Sequence, residues 1–282
     1  MTQENWRDNI SYSNDYDIRT TDINSCHEVT DNHINKVVNE IIGDNGRIDL
    51  IDVGCGDGFV SRQILLKKHP MFIRLDCMDV SILQLERAKK MLGDLETRSN
   101  QICYIHDDII YSMQPSSTYD VVLAKMLLHE VENDKQIVAL HNIFRITKNR
   151  GKVIIWDVFL NGDSQSFINK IITKKDELAG FLGLARNRYF FTKNELVDNL
   201  KNAGVKHPRL QTIFSYDYRF STRARAANDL QNDETKLIEL NQYIRRLSQE
   251  YTDILESVSY ADRGDDITFD LKMCALVLTK EQ

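Results

Sequence analysis

The run Leu50-Ile51-Asp52-Val53-Gly54-Cys55-Gly56-Asp57-Gly58-Phe59 constrains this chain more than any other. The apolar, β-branched residues over 48–53 read as a buried strand. Three glycines follow in five positions, and then a helix-like stretch. Glycine accepts the backbone of a tight turn and lets a ligand approach the main chain closely. Strand, glycine-rich turn and helix therefore open an α/β unit with a ligand at the turn. The spacing is G-x-G-x-G, not the G-x-G-x-x-G of a dinucleotide fold. Asp52 ends the strand and Asp57 lies in the turn, and two carboxylates repel a pyrophosphate and attract a cation. The turn suits a ligand that carries positive charge.

The same rhythm continues. Residues 72–78, 102–105, 119–124 and 152–159 read as further strands, and 81–92 and 135–146 as helices between them. Ser81 and Gln84 have the S-x-x-Q spacing of a capping box, which starts the first of these helices. Apolar positions over 29–42 predict an earlier helix, stopped by Gly43-Asp44-Asn45-Gly46. This alternation predicts a doubly wound α/β fold around a mostly parallel sheet.

Beyond residue 160 the pattern changes. Phe167, Ile168, Ile171, Ile172, Leu178, Phe181 and Leu182 mark an amphipathic helix, and Thr192 with Glu195 forms a second capping box. The segments 209–220 and 267–278 read as strands able to pair antiparallel. Between them Leu237, Leu240, Ile244, Leu247, Tyr251, Ile254 and Val258 keep a heptad rhythm. That helix either docks on its own domain or forms an arm for a homodimer. The expected organisation is one domain over 1–282. It comprises an N-terminal lid (1–43), a ligand-binding core (44–160), a helical cap insertion (161–190), a helical insertion (221–264) and closing strands (209–220 and 267–279).

Composition narrows the partners. The 282 residues carry a formal charge of −6, which argues against nucleic acid or an anionic membrane as the main partner. No apolar run approaches the roughly 18–20 residues of a membrane span, and the first residues carry no signal-peptide pattern. Cys26, Cys55, Cys77, Cys103 and Cys274 form no C-x-x-C pair, as suits reduced thiols in a cytoplasmic protein.

Two more acidic strand ends follow the glycine turn. Asp79 lies at the distance, roughly 20 residues past the glycines, at which a carboxylate takes ribose hydroxyls. Asp107-Asp108 follows the third strand, placed to accept from an adenine amino group. Three acidic strand ends in order are hard to ascribe to solvated caps.

With these residues the sequence resembles a class I S-adenosylmethionine-dependent methyltransferase of the small-molecule type. The resemblance rests on Asp52-Val53-Gly54-Cys55-Gly56-Asp57-Gly58, Met78-Asp79-Val80-Ser81 and His106-Asp107-Asp108-Ile109. It continues through Tyr119-Asp120-Val121-Val122, Leu127-Leu128-His129-Glu130, and Arg145 followed by Gly151-Lys152-Val153-Ile154-Ile155. Residues 48–159 match well and 191–204 more loosely. The resemblance implies a seven-stranded, Rossmann-like sheet with an antiparallel last strand, and S-adenosylmethionine as cofactor. The cofactor-binding set it implies is Asp52, Gly54, Cys55, Gly56, Gly58, Asp79, Val80, Asp107, Asp108, Ile109 and Lys125. Asp79 would meet the ribose and either Asp107 or Asp108 the adenine.

The acceptor is narrowed mainly by exclusion. No Cys adjoins Pro70, Pro115 or Pro208, against pyrimidine C5 chemistry, and Leu123-Ala124-Lys125-Met126 replaces the Asp/Asn-Pro-Pro-Tyr of exocyclic adenine enzymes. His129 is a candidate general base, with a packing role as the alternative, and Asp157 could orient an amine or hydroxyl. Tyr12, Tyr16, Phe181, Tyr189 and Phe190, with Trp6, Arg186 and Arg188, are candidates for a substrate cap. Arg219, Arg223 and Arg225 could favour an anionic acceptor, or form a solvated turn. His27 and His33 read as surface residues, and no residue set is singled out for a metal. The expected function is in-line SN2 methyl transfer from S-adenosylmethionine to an oxygen or nitrogen of a small metabolite in a capped pocket. The alternatives are an RNA or protein methyltransferase, or a cofactor-binding protein without transfer activity.

Overall fold

The computed structural model describes residues 29–41, 47–67 and 72–281. Its framework is a sheet of β1 (Arg47–Val53), β2 (Phe72–Asp79), β3 (Asn100–His106), β4 (Tyr119–Lys125), β5 (Thr147–Val158), β6 (Gln211–Ser221), β7 (Ala261–Asp262) and β8 (Ile267–Thr279). The order is β3-β2-β1-β4-β5-β8-β6, with two-residue β7 pairing β8 off the main path. Strands β1 to β5 are parallel, and β8 runs antiparallel between β5 and β6. The chain moves outward from β1 to β3 and then returns to β4 on the other side of β1. The carboxyl ends of β1 and β4 thus part at a topological switch point, the crevice where open α/β sheets bind ligands.

Helices cover both faces, as the apolar strands require. They are α1 (Asp31–Ile41), α2 (Phe59–Lys67), α3 (Ile82–Leu92), α4 (Gln136–Ile146), α5 (Gly162–Ala179), α6 (Leu182–Asn187), α7 (Lys193–Asn202) and α8 (Glu234–Glu250). Along β5 the side chains alternate between two cores. Ile154, Trp156 and Val158 join Val37 of α1, Ile64 of α2 and Phe167 of α5, whereas Val153 and Ile155 join Leu140 of α4 and Leu196 of α7. No helix of the described residues is long and apolar enough to cross a membrane.

The heptad resolves against a free arm. Leu237, Leu240, Ile244 and Leu247 are buried in their own chain, where α8 packs on α5. The α-helix ends at Glu250, because Tyr251 leaves helical geometry (φ −121°, ψ 37°), and Ile254 and Val258 reach the same core from the irregular segment beyond. A seam already spent on the domain core offers no apolar stripe to a second copy. Strand β5 begins at Thr147, five residues before the apolar run that announced it. His33 is half-buried rather than fully exposed. It stacks on Phe214 and Tyr216 with ring centroids 4.6 and 4.4 Å away.

Candidate active site

The turn after β1 is stapled to the end of β2. The backbone N–H groups of Gly54 and Cys55 both donate to the Met78 carbonyl (2.8 and 3.0 Å). That of Gly56 donates to Asp79 Oδ2 (2.9 Å). Gly54 holds φ +71°, and a Cβ there would lie 2.8 Å from Leu127 Cδ1, so the loop after β4 closes directly over the turn. A side chain at this position would be strained and crowded at once.

Asp79 is used twice. Its Oδ1 accepts from the Ser81 backbone N–H at 2.9 Å, which organises the start of α3. Ser81 caps that helix by accepting from Gln84 N at 3.3 Å, but the return half of the predicted capping box is not made, because Asp79 has taken the Ser81 N–H. At α7 the Thr192–Glu195 box is complete.

The doubled aspartate separates into two roles. Asp107 Oδ1 accepts from Asp108 N (2.9 Å) and its Oδ2 from the Ser112 hydroxyl (2.7 Å), so both oxygens serve the loop. Asp108 accepts from Ile110 N through Oδ1 (3.0 Å), and its Oδ2 takes no hydrogen bond from the described residues.

Of the residues the sequence proposed, Gly54, Gly56, Asp79, Val80, Asp107, Asp108 and Ile109 line one cleft at the switch point. Ser81, Gln84, Met126, Leu127, Glu130 and Val131 also line it. No spacing rule flags the last four as ligand residues, because the fold, not the local sequence, swings the loop after β4 over the glycine turn. Met126 holds a left-handed φ of 53°, a local strain of the kind that gathers at functional sites.

Asp52, Cys55, Gly58 and Lys125 do not line the cleft. Asp52 is 2% exposed beneath the turn and accepts the Ser61 hydroxyl at 2.6 Å. Burial pushes its pKa up to about 6, against the pull of the Ser61 hydrogen bond and the Lys125 charge. The expectation of Asp52 as an open carboxylate facing the ligand is therefore corrected. Cys55 is buried, and the neighbouring Cys77 thiol and burial raise its pKa. Gly58 makes room for packing, since a Cβ there would meet Leu92 and Ala88 of α3 at 3.1 and 3.2 Å. The Lys125 ammonium lies over the Trp156 ring, 5.5 Å from its centroid.

The two candidate catalytic residues form a pair. His129 Nδ1 lies 2.6 Å from Asp157 Oδ1. Asp157, with no exposed surface, also accepts from Val158 N (2.7 Å) and Leu128 N (3.1 Å). The imidazole is further fixed by stacking on Phe190, centroids 4.6 Å apart. The dyad does not itself line the cleft, but its neighbour Glu130 does.

Tyr12 and Tyr16, with Trp6 and His27, lie outside the described residues. Phe181 and Phe190 are core side chains rather than an apolar lid surface, Phe181 packing on Leu184. The Tyr189 hydroxyl donates to Glu195 (2.8 Å) and accepts from Gln165 (3.0 Å). Arg188 ties the cap to the cleft. It reaches Glu130 at 3.3 Å and Asp176 at 3.1 Å, and Asp176 in turn pairs with Lys175 (2.7 Å), which also pairs with Asp229. The arginines proposed for an anionic acceptor are turned elsewhere. Arg219 pairs with Asp270, Arg223 with Glu234 and Asp265, and Arg225 lies over the Tyr218 ring. None lines the cleft, and that expectation is withdrawn.

Residues 51–153 match the family model for a methyltransferase domain. A tRNA U34 carboxymethyltransferase of Haemophilus ducreyi is 25% identical over 161 residues, 57% of this chain and 46% of that protein. A malonyl-acyl-carrier-protein O-methyltransferase of Ilyobacter polytropus is 27% identical over 111 residues, 39% of this chain and 38% of that one. The chain thus spans less than half the length of these curated relatives. A structure from Bacillus halodurans C-125, assigned as a methyltransferase, shares the fold with a TM-score of 0.72 at 15% identity, covering 89% of this chain and 100% of that one. YcgJ of Bacillus subtilis does so at 0.70 and 11%, covering 88% and 98%. Residues 51–153 thus match a methyltransferase domain, on a fold that these structures share.

Proposed function

We propose that this protein transfers a methyl group from S-adenosylmethionine to an oxygen or nitrogen of a small-molecule acceptor, by in-line displacement in a capped pocket. The observation that carries this reading is the charge of the cleft. Its charged lining residues are Asp79, Asp107, Asp108 and Glu130, every one an acid. Such a lining repels the pyrophosphate of a dinucleotide and favours a cationic ligand.

The residues present fit the cofactor. Asp79 is assigned to the ribose hydroxyls, because its carboxylate lines the cleft at the end of β2, held there by the Gly56 and Ser81 N–H groups. Asp108, rather than Asp107, is assigned to the adenine amino group, because only Asp108 has an oxygen clear of the loop's own hydrogen bonds. Gly54 and Gly56 leave the main chain open to the amino-acid end. When bound, the cofactor supplies a methyl group activated by a sulfonium. The chain's own contribution is to hold, align and desolvate the reactants. His129, its Nδ1 against Asp157 Oδ1 and itself 3% exposed outside the cleft, is assigned a positioning role: it anchors the segment after β4 that brings Glu130 into the cleft.

Two features support a small acceptor: the helical cap of α5 and α6, tied to the cleft through Arg188, and the acidic balance of the chain. The tRNA-modifying relative favours an RNA acceptor as the second reading. A cytoplasmic setting accords with Cys55, Cys77, Cys103 and Cys274 as free thiols. Transfer of tritiated methyl from S-adenosylmethionine, assayed separately on a small-metabolite fraction, total tRNA and protein, tests the proposal. Label in the metabolite fraction is expected. Label confined to tRNA or protein overturns the small-molecule acceptor, and tight S-adenosylhomocysteine binding without transfer to any fraction overturns catalysis.

A further inference from the structure

A second groove opens at the amino ends of β4 and β5, the end of the sheet opposite the cleft, and shares no lining residue with it. Its volume is about 460 Å³, within the roughly 300–1,000 Å³ of small-molecule sites. The groove is basic although the chain is acidic. Arg145, Lys206, Arg209 and Lys280 line it, with His141 and His207, against one carboxylate, Glu281. The whole sequence, by contrast, has 42 acids to 36 bases. The floor is apolar, since Phe144, Ala203 and Leu278 are at most 7% exposed.

None of the four cations forms an ion pair with a carboxylate of the described residues. Arg145 and Lys280, both half-buried, are held by neutral oxygens only. Arg145 donates to the Ser112 and Gln114 carbonyls and to Asn142 Oδ1, and Lys280 Nζ to the Phe144 and Thr147 carbonyls (2.6 and 2.7 Å). Burial pulls the Lys280 pKa below its ordinary value, as expected of a cation that loses water and gains no counter-ion. Half-buried cations elsewhere are compensated: Lys148 pairs with Asp49 and Asp120, and Arg74 with Asp76. A concave group of unpaired cations concentrates anions. The apolar floor selects among them for one with hydrocarbon surface to bury. Nucleic acid fits less well, because a phosphate backbone follows an extended basic stripe whereas these cations converge on one cavity. We infer that this groove is a binding site for a small organic anion, with its acid group among Lys206, Arg209 and Lys280 and its apolar body on Phe144 and Leu278. The inference is independent of the cofactor and acceptor assignments.

Fluorescence titration of the full chain with 1-anilinonaphthalene-8-sulfonate, an aromatic anion, tests it. Phenyl phosphate or benzoate is expected to displace the probe at concentrations about ten-fold or more below those required of inorganic phosphate or of neutral benzyl alcohol. The more effective of the two identifies the acid group. The double variant Lys206→Gln, Arg209→Gln is expected to bind the probe about ten-fold more weakly. Its melting temperature and its affinity for S-adenosylhomocysteine should match the wild type, because both side chains are exposed and neither pairs with any described residue. Arg145 and Lys280 are left intact, since each holds main-chain carbonyls. No saturable probe binding, or equal affinity in the double variant, overturns the inference. Displacement by S-adenosylhomocysteine also overturns it, by placing the probe in the cleft. Inorganic phosphate as effective as phenyl phosphate reduces the groove to an adventitious anion patch, and a short RNA oligonucleotide more effective than either organic anion assigns it to nucleic acid; each result overturns the small organic ligand.

Discussion

Asp79 Oδ2 accepts the backbone N–H of Gly56 at 2.9 Å, joining the end of β2 to the glycine turn that follows β1. The carboxylate thereby shapes the turn before any ligand arrives, and its second oxygen sets the first turn of α3. One side chain organises both edges of the cleft.

Asp79→Ala is therefore expected to weaken S-adenosylhomocysteine binding by one to two orders of magnitude, about 1.5–3 kcal/mol for lost charge-assisted hydrogen bonds. Calorimetry checks this, and unchanged affinity would falsify the assignment of Asp79 to the ribose.

Asp52 makes stability depend on pH. Burial lifts its folded pKa from the ordinary 3.8 to about 6, so between those values the folded state binds more protons than the unfolded chain. The Asp52 contribution is then complete below pH 3.8 and lost as pH rises to about 6, on the order of 3 kcal/mol in all. Asp52→Asn keeps the shape and an acceptor for the Ser61 hydroxyl. It is expected to raise the melting temperature by a few degrees at pH 7.5 and by less at pH 5. An equal shift at both pH values would remove the buried-carboxyl explanation.

His129→Gln is expected to lower methyl transfer by about ten-fold, because the link to Asp157 that positions the segment bearing Glu130 is lost. Affinity for S-adenosylhomocysteine should stay within about two-fold, because the dyad does not line the cleft. Single-turnover kinetics beside calorimetry separate the two effects, and retained transfer would reduce His129 to a packing role.

Arg188→Met removes the cation that Glu130 and Asp176 share, although Lys175 still pairs with Asp176. Breaking a fully buried, otherwise uncompensated ion pair costs about 3–5 kcal/mol, so with Lys175 in place denaturant unfolding should show a smaller loss, on the order of 1–3 kcal/mol. A loss below about 1 kcal/mol would mean that the cap is not held through this link.

Leu240→Ala is expected to destabilise the chain by about 2–5 kcal/mol without altering its mass by light scattering, since Leu240 is fully buried in its own domain. A change in mass at unchanged stability would restore the heptad as an interface.

Much of this molecule was written locally. The apolar strands, the glycine turn, and Asp79 and Asp107-Asp108 at strand ends are short-range features, because the period of a strand and the backbone demands of a turn are set within a few residues. The Thr192–Glu195 box formed as its spacing predicts, for the same reason. Tertiary contacts decided the rest. A 3-4 repeat says that a helix will bury one face but not against what, and α5, rather than another copy, supplied the partner of Leu240 and Ile244. His129 and Asp157, 28 positions apart, met only once β4 and β5 lay side by side. Asp52 was legible as an acid but not as a buried one, since charge is a property of the residue whereas desolvation belongs to its surroundings. Gln84 was read as a cap; Asp79, two positions before Ser81, takes the N–H that the box needs, and only the fold places Gln84 on the cleft. Sequence assigns each group its chemical capacity, and the fold decides which of those capacities remain unspent.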